Sequence, residues 1–251
     1  MDFKSYMITF VKDELRLSNF NDAKSKLNDL ELFEAINTID NYDYLKEVDQ
    51  KMGLHTNRYL EKWSSLPGKL GCNLSYIKLF KEISLNEKFY KNSPSWFLIL
   101  EDDTSILPNF CKKEINNLLT TADNLHIKFI KLFISSGRDI INGKKIEFSP
   151  KIQTSQKHHI QGNLYRSIPS WGTWGQIFHI SLINDLLEKM PWNDHIDKIL
   201  MKFNLEKKYN FCYYDQNFLR YLGAKKHTDK SSNFGSLIFE NNKSKSIFKK
   251  L

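Results

Sequence analysis

The chain has 251 residues, 41% hydrophobic and 26% charged, with only 10 glycines and 6 prolines. That is enough apolar content for one large core, and the composition excludes a disordered, collagenous or low-complexity chain. The formal charge of +8 favours an anionic partner, whether nucleic acid, membrane surface or anionic glycan; three scattered cysteines without a CxxC pair exclude a disulfide framework or a cysteine zinc site and suit a reducing compartment.

In chain order, Tyr6-Met7-Ile8-Thr9-Phe10-Val11 reads as a first buried strand. Its flanks lack a signal-peptide core, and no apolar run reaches the ~20 residues of a membrane span, so a cytoplasmic protein is expected. A helix follows over Ser18 to Asn28, with Ser18 as N-cap and Phe20, Ala23 and Leu27 at helical spacing. A second strand is Leu32 to Ile36. Residues 40 to 65 are polar, aromatic and irregular, the candidate for a mobile loop over a site. In Leu66-Pro67-Gly68-Lys69-Leu70-Gly71-Cys72-Asn73-Leu74-Ser75-Tyr76 the proline and glycines mark a turn that enters an amphipathic helix through Ile77, Leu79, Phe80 and Ile83. Such an entry can cradle a phosphate with free backbone amides.

Trp96-Phe97-Leu98-Ile99-Leu100 is a run of five apolar residues that reads as a strand buried on both faces, and it ends on Glu101-Asp102-Asp103. Three adjacent acids repel one another, and burying them without a counter-charge is costly. In open α/β sheets ligands bind beyond the carboxyl ends of the strands, so a hard cation carrying a phosphate-containing ligand fits this position. Phe110 to Thr121 then reads as a helix and Ile127 to Ile134 as a strand, followed by an irregular stretch with a hairpin turn at Asn142-Gly143. Trp171-Gly172-Thr173-Trp174-Gly175 combines close backbone approach with flat faces suited to a sugar or base. Ser181 caps a helix over Leu182 to Met190, ended by Pro191, and Trp192-Asn193-Asp194-His195-Ile196-Asp197 gathers two acids and an imidazole. Strand and helix alternate throughout, which argues for an α/β sheet of mainly parallel strands. No P-loop, GxGxxG, GxSxG or HExxH occurs. The Lys243 to Lys250 tail is basic with interleaved apolar residues, as a peripheral anchor on anionic lipid at the inner membrane face would be.

Four of these blocks, in order, carry a family resemblance: Ile8-Thr9-Phe10 with Arg16; Pro67-Gly68-Lys69-Leu70-Gly71-Cys72-Asn73-Leu74-Ser75-Tyr76; Leu98 to Asp103; and Gly172-Thr173-Trp174-Gly175 before a helix. Together with the late turn Asn233-Phe234-Gly235-Ser236, they make nearly the whole chain resemble glycosyltransferase family 25, which includes lipooligosaccharide-biosynthesis enzymes and collagen galactosyltransferases. The chain departs from the family at Tyr76, where a histidine is usual, and at Thr9-Phe10.

The resemblance implies an α/β, Rossmann-like GT-A fold that binds a nucleotide-sugar, with a mixed, mainly parallel sheet flanked by helices. A single domain would span 1–251, with the nucleotide-sugar part at 1–137, the acceptor side at 138–240 and the basic tail at 241–251. It also implies inverting transfer of galactose or a similar sugar from a UDP-sugar donor to a glycan acceptor such as lipooligosaccharide, with Mn²⁺ or Mg²⁺. In this frame Asp103 is the direct metal ligand, Asp102 binds the ribose or supports the metal, and Glu101 stands behind them. His179, His195 and His227 are alternatives for completing the metal shell. Ile8, Thr9, Arg16, Gly71, Ser75, Gly172 and Thr173 line the donor site. Inversion needs a carboxylate base on the acceptor side; Asp194 and Asp197 are the candidates, with Asp197 preferred. Modified phage DNA or a protein side chain are alternative acceptors. A non-catalytic nucleotide- or glycan-binding relative is the competing class, and a nucleic-acid binder, resting on charge alone, ranks last.

Overall fold

The structure, a computed structural model, describes residues 2–37, 67–89, 94–134, 136–141, 143–170, 172–192, 194–206 and 210–222. The loop expected at 40–65, Asn142, Trp171, His227, the turn at 233–236 and the basic tail at 241–251 lie outside the described residues.

The elements run β1 (Phe3–Thr9), α1 (Glu14–Lys26), β2 (Leu30–Glu34), α2 (Pro67–Phe89), β3 (Trp96–Glu101), β4 (Thr104–Ile106), α3 (Lys112–Asn124), β5 (Ile127–Lys131), β6 (Gly137–Ile141), β7 (Lys144–Phe148) and α4 (Pro150–Gln153). A 3-10 turn (Gln156–His158), β8 (His159–Gln161), β9 (Leu164–Arg166), β10 (Gly175–His179), α5 (Ile180–Glu188), α6 (Ile196–Leu205), β11 (Asn210–Tyr214) and β12 (Leu219–Tyr221) complete them. The main sheet has eight strands in the order β2-β1-β3-β10-β5-β11-β9-β8. Following the pair directions across it, six strands run one way and only β10 and β9 run against them. The protein is therefore a mixed α/β fold whose sheet runs mainly in one direction, flanked by helices. Two small antiparallel ladders, β12 with β4 and β6 with β7, lie apart from it.

The apolar run of β3 is buried on both faces because two helical layers cover the sheet. Trp96, Leu98 and Leu100 point into one layer with Phe20 and Ala23 of α1 and Ile115 and Leu119 of α3. Phe97 and Ile99 point into the other, with Leu74, Ile77 and Phe80 of α2, Leu182 and Ile183 of α5, and Ile196 of α6. A chain of edge-to-face rings, Tyr76–Phe80–Phe178–Phe129, fills the second layer at centroid distances of 5.7, 5.2 and 5.0 Å. This is the geometry in which aromatic pairs attract most. Among the described residues no helix is long and apolar enough to cross a membrane.

Several local expectations are corrected. The N-cap of α1 is Asp13, whose Oδ1 accepts from the Arg16 amide at 3.1 Å, and Ser18 sits inside the helix. The α2 helix begins at Pro67, so Gly71 and Cys72 belong to the helix body rather than to a turn. Proline's fixed φ suits a first helical turn, and that preference outweighs the modest helix cost of two glycines. The cap of α5 is His179, whose Nδ1 accepts from the Ser181 amide at 3.1 Å. The largest omission is β10, five residues hidden behind glycines and tryptophans, which lies antiparallel between β3 and β5.

Candidate active site

Register brings the site together. Ile8 at the end of β1 pairs with Glu101 at the end of β3, and Gly175 at the start of β10 pairs with Leu100. The acidic triplet thus stands at the carboxyl edge of β1 and β3, flanked by the 172–174 segment that leads into β10.

The three acids have three environments. Asp102, 6% exposed, is tied down on every side. Its Oδ1 pairs with the Arg16 guanidinium, its Oδ2 accepts the Phe10 amide at 3.1 Å, and its carbonyl accepts Asn19 Nδ2 at 2.8 Å. Asn19 also donates to the Thr104 carbonyl at 2.9 Å, so α1 holds both sides of the acidic turn. Burial still raises the Asp102 carboxyl above its ordinary value, against the opposing pull of Arg16.

Glu101 concentrates its contacts on one oxygen. Oε1 accepts the Thr173 hydroxyl, lies 3.4 Å from the Tyr76 hydroxyl and 3.9 Å from Cys72 Sγ. Tyr76 also reaches the Thr173 carbonyl at 3.2 Å. Burial first, and then the charges of Asp103 and Asp197, push the Glu101 carboxyl up. Asp103 is raised in the same way by burial and by the charge of Asp102. Its backbone carbonyl accepts the Leu222 amide at 2.7 Å, while its Oδ1 is buried with no hydrogen-bond partner among the described residues. No lysine or arginine among the described residues pairs with Glu101 or Asp103.

The sign of this arrangement is testable. A carboxyl whose folded pKa is raised stabilises the fold below its unfolded value, about 4.3 for Glu, and that stability is lost as pH rises through the raised folded value. Glu101→Gln fixes the uncharged form. In EDTA its melting temperature should match that of the wild type near pH 4 and exceed it by a gap that widens toward neutrality and above. Thermal melts across that range check it, and a gap that closes with rising pH would contradict the assignment.

Opposite the triplet stand Asp197, 7% exposed, and His195, also 7% exposed. Asp197 Oδ1 accepts the Gly172 amide at 3.1 Å, and its Oδ2 lies 3.3 Å from His195 Nδ1. That last contact lacks hydrogen-bond geometry, and both ring nitrogens of His195 are buried without a hydrogen-bond partner among the described residues. Asp194 is engaged elsewhere: Oδ2 pairs with Lys202 at 3.2 Å and Oδ1 accepts the His195 amide at 3.1 Å. Asn73 on α2 fixes this corner, donating to the Asp194 carbonyl and accepting the Ile196 amide at 2.9 Å. Lys131, 4% exposed, donates to the Ser170 carbonyl and hydroxyl at 2.6 and 2.9 Å. Burial lowers its ammonium to about 8, the nearby Asp197 charge opposing.

Gly172 has a φ of +103°, and a Cβ there would lie 2.1 Å from the Trp174 ring. Gly172→Ala should therefore cost about 2–5 kcal/mol, backbone strain and overpacking together, and release Asp197 from its amide. Denaturant melts check the cost; a loss under 1 kcal/mol would mean the 172–174 turn is not held as described.

The residues expected from sequence divide clearly. Ile8, Thr9, Glu101, Asp102, Asp103, Gly172, Thr173 and Asp197 converge on one edge of the sheet, with Arg16 behind them. Ser75 is turned inward, donating to the Gly71 carbonyl and accepting the Ile36 amide at 2.8 Å, so it fastens α2 to the end of β2. His179 pairs in register with Trp96, at the far end of β3 and roughly 16 Å along the strand from Glu101. Its ring packs edge-on against Trp96 at 4.9 Å. The role of Lys131 was not legible in the sequence, where it reads as one more solvated lysine in an alternating strand.

The acidic edge fits a hard cation. Two carboxyls raised by burial and by neighbouring negative charge, one with an orphaned oxygen, are what such an ion would relieve. Among the described residues no three carboxylate, imidazole or thiolate groups converge as a complete metal cage. A cation held by one or two carboxylates, with phosphate oxygens and water completing its shell, matches the way magnesium is usually bound.

No family model matches the sequence, and no curated protein matches it. Among solved structures, the chain is similar to a glycosyltransferase involved in the glycosylation of the major capsid of PBCV-1, with 12% identity over 86% of this chain and 82% of that one and a TM-score of 0.43. It is also similar to a 4-diphosphocytidyl-2C-methyl-D-erythritol synthase from Anaerococcus prevotii (14% identity, 99% and 98% covered, TM-score 0.37). Mouse xyloside xylosyltransferase 1 is a third (10% identity, 84% of each chain covered, TM-score 0.37).

Proposed function

We propose that this chain is an inverting, metal-dependent glycosyltransferase with a GT-A type nucleotide-sugar site, moving galactose or a similar sugar from a UDP-sugar to a glycan acceptor such as lipooligosaccharide. The observation that carries it is the carboxylate edge itself, where Glu101 and Asp103 are half-buried, raised and paired with no lysine or arginine among the described residues, near the buried acid Asp197. Asp103 and Glu101 would hold Mn²⁺ or Mg²⁺. When bound, that ion supplies Lewis-acid stabilisation of the charge that develops on a departing nucleoside diphosphate.

The chain's own residues do the rest. Arg16 neutralises Asp102 and so fixes the turn that aims Asp103; Asp102 is in this reading a positioning residue. Thr173 and Tyr76 orient Glu101 on its Oε1 side and leave the other oxygen for the ion. Asp197, held by the Gly172 amide and facing His195, takes the proton from the acceptor hydroxyl as the glycosidic bond forms. Asp194, paired with Lys202, positions this pair. We place the protein on the cytoplasmic side, with the basic tail as its contact to anionic membrane; modified DNA, which the net charge of +8 would favour, and a protein side chain are the alternative acceptors.

The test is a mass-spectrometric screen of UDP-, GDP- and CMP-sugars incubated with the protein and Mn²⁺ or EDTA. Slow consumption of one UDP-sugar that stops with EDTA is the expected result. Metal-dependent UDP binding without turnover of any donor, even with a panel of glycan acceptors, would replace transfer by binding alone. The absence of any metal-dependent nucleotide binding would overturn the reading altogether.

A further inference from the structure

A cavity of about 500 Å³ lies at the other edge of the main sheet. It is built on Ile127 at the start of β5, on Asn210 and Phe211 at the start of β11, and on Leu205 at the end of α6. The same helix begins at the Asp197 corner, so the cavity and the carboxylate edge sit at opposite ends of α6.

The walls are mostly aliphatic or aromatic, and the two asparagine amide nitrogens among them are engaged. Asn204 Nδ2 donates to the Ser167 carbonyl at 3.0 Å and Asn210 Nδ2 to the Leu125 carbonyl at 3.1 Å. The charge at the cavity has one sign. Arg166 and His158 line it, no lining residue is acidic, and Arg166 has no ion-pair partner among the described residues. Lys157 stands beside His158 in the chain. Burial, with the charges of Lys157 and Arg166, pushes the His158 imidazole below its ordinary value. An apolar chamber of this size with a few convergent polar groups is the usual form of a small-molecule site. An unneutralised guanidinium at its mouth selects a phosphate or carboxylate head, which it can grip with two parallel hydrogen bonds.

We infer that this cavity binds a single-chain amphiphilic anion, its apolar chain against Leu125, Ile160, Ile168 and Leu205 and its phosphate head on Arg166 and His158. The site is separate from the carboxylate edge, and its occupation does not depend on the transferase reading.

The experiment is calorimetric titration of the whole protein with decyl phosphate below its micellar concentration, with decyl maltoside and inorganic phosphate as the chain-only and head-only arms. Decyl phosphate should bind saturably, at least 10-fold more tightly than either control. Arg166→Gln, with its side chain at the exposed rim, should weaken that binding at least 10-fold at an unchanged melting temperature. Ile168→Trp, which narrows the chamber, should weaken it as well. Equal affinity for decyl maltoside, tight binding of phosphate alone, no binding of decyl phosphate, or indifference to Arg166→Gln would each overturn the assignment.

Discussion

Asp103→Ala is expected to abolish metal-dependent nucleotide binding and to lower donor turnover at least ~100-fold, the scale on which losing one element of electrostatic stabilisation usually acts, while the melting temperature at neutral pH should stay the same or rise. The two halves of this expectation come from one observation. Asp103 keeps a buried oxygen without a hydrogen-bond partner among the described residues, and its carboxyl is raised by burial and by the charge of Asp102. A group in that condition costs the fold something to hold. Deleting it therefore removes a penalty together with the proposed ligand. A side chain that served packing would behave in the opposite way, losing stability first and activity in proportion. Calorimetric titration of UDP with Mn²⁺, run beside thermal melts, separates the cases. A destabilised variant that still binds UDP in a metal-dependent manner would remove Asp103 from the site.

Arg16→Met is expected to be the most destabilising of the site substitutions, at about 3–5 kcal/mol, because it strands the buried Asp102 carboxylate without its counter-charge. For a chain of this size that is a fall in melting temperature on the order of 10 °C. The Asp102 carboxyl keeps only the Phe10 amide on Oδ2, and burial, which already raises its pKa, then acts unopposed by the guanidinium. The variant should consequently recover stability as pH falls and Asp102 takes up a proton. The double variant Arg16→Met with Asp102→Asn should be less damaged than Arg16→Met alone, since no charge is left buried. Denaturant melts of the two single variants and the double one measure the coupling; additive losses would mean that Arg16 and Asp102 act independently. The pair holds the turn that carries Asp103, so nucleotide affinity should fall along with stability. That correlation distinguishes a positioning pair from a ligand.

Much of the site was legible because it is written in contiguous residues. Trp96 to Leu100 followed by three acids announces a doubly buried strand ending in a charge problem, and the structure places that problem where such strands meet their ligands. Gly172 and Thr173 could be singled out for a comparable reason: a glycine among bulky neighbours implies a backbone that must come close, and here its amide meets Asp197. The relations across the chain were not legible. Arg16 and Asp102 are 86 positions apart, and nothing in either segment names the other as its partner. Ser75 looked like a polar contact for a nucleotide, but the course of β2 decides that its hydroxyl receives Ile36 instead. His179 offered a metal-binding imidazole, and the direction of β10 carries it to the wrong end of β3 for that task.

By itself the sequence determined the class of fold and the run of acids that ends β3, because hydrophobic periodicity and adjacent charges are local properties of a chain. Only the tertiary structure decided which acid is neutralised by Arg16 and which acids pair with no lysine or arginine among the described residues. It also decided that His195 is buried beside Asp197 and that a cationic-mouthed cavity opens at the far end of α6. Those outcomes depend on strand order and register, which bring distant residues within the few ångströms over which burial and Coulomb forces act.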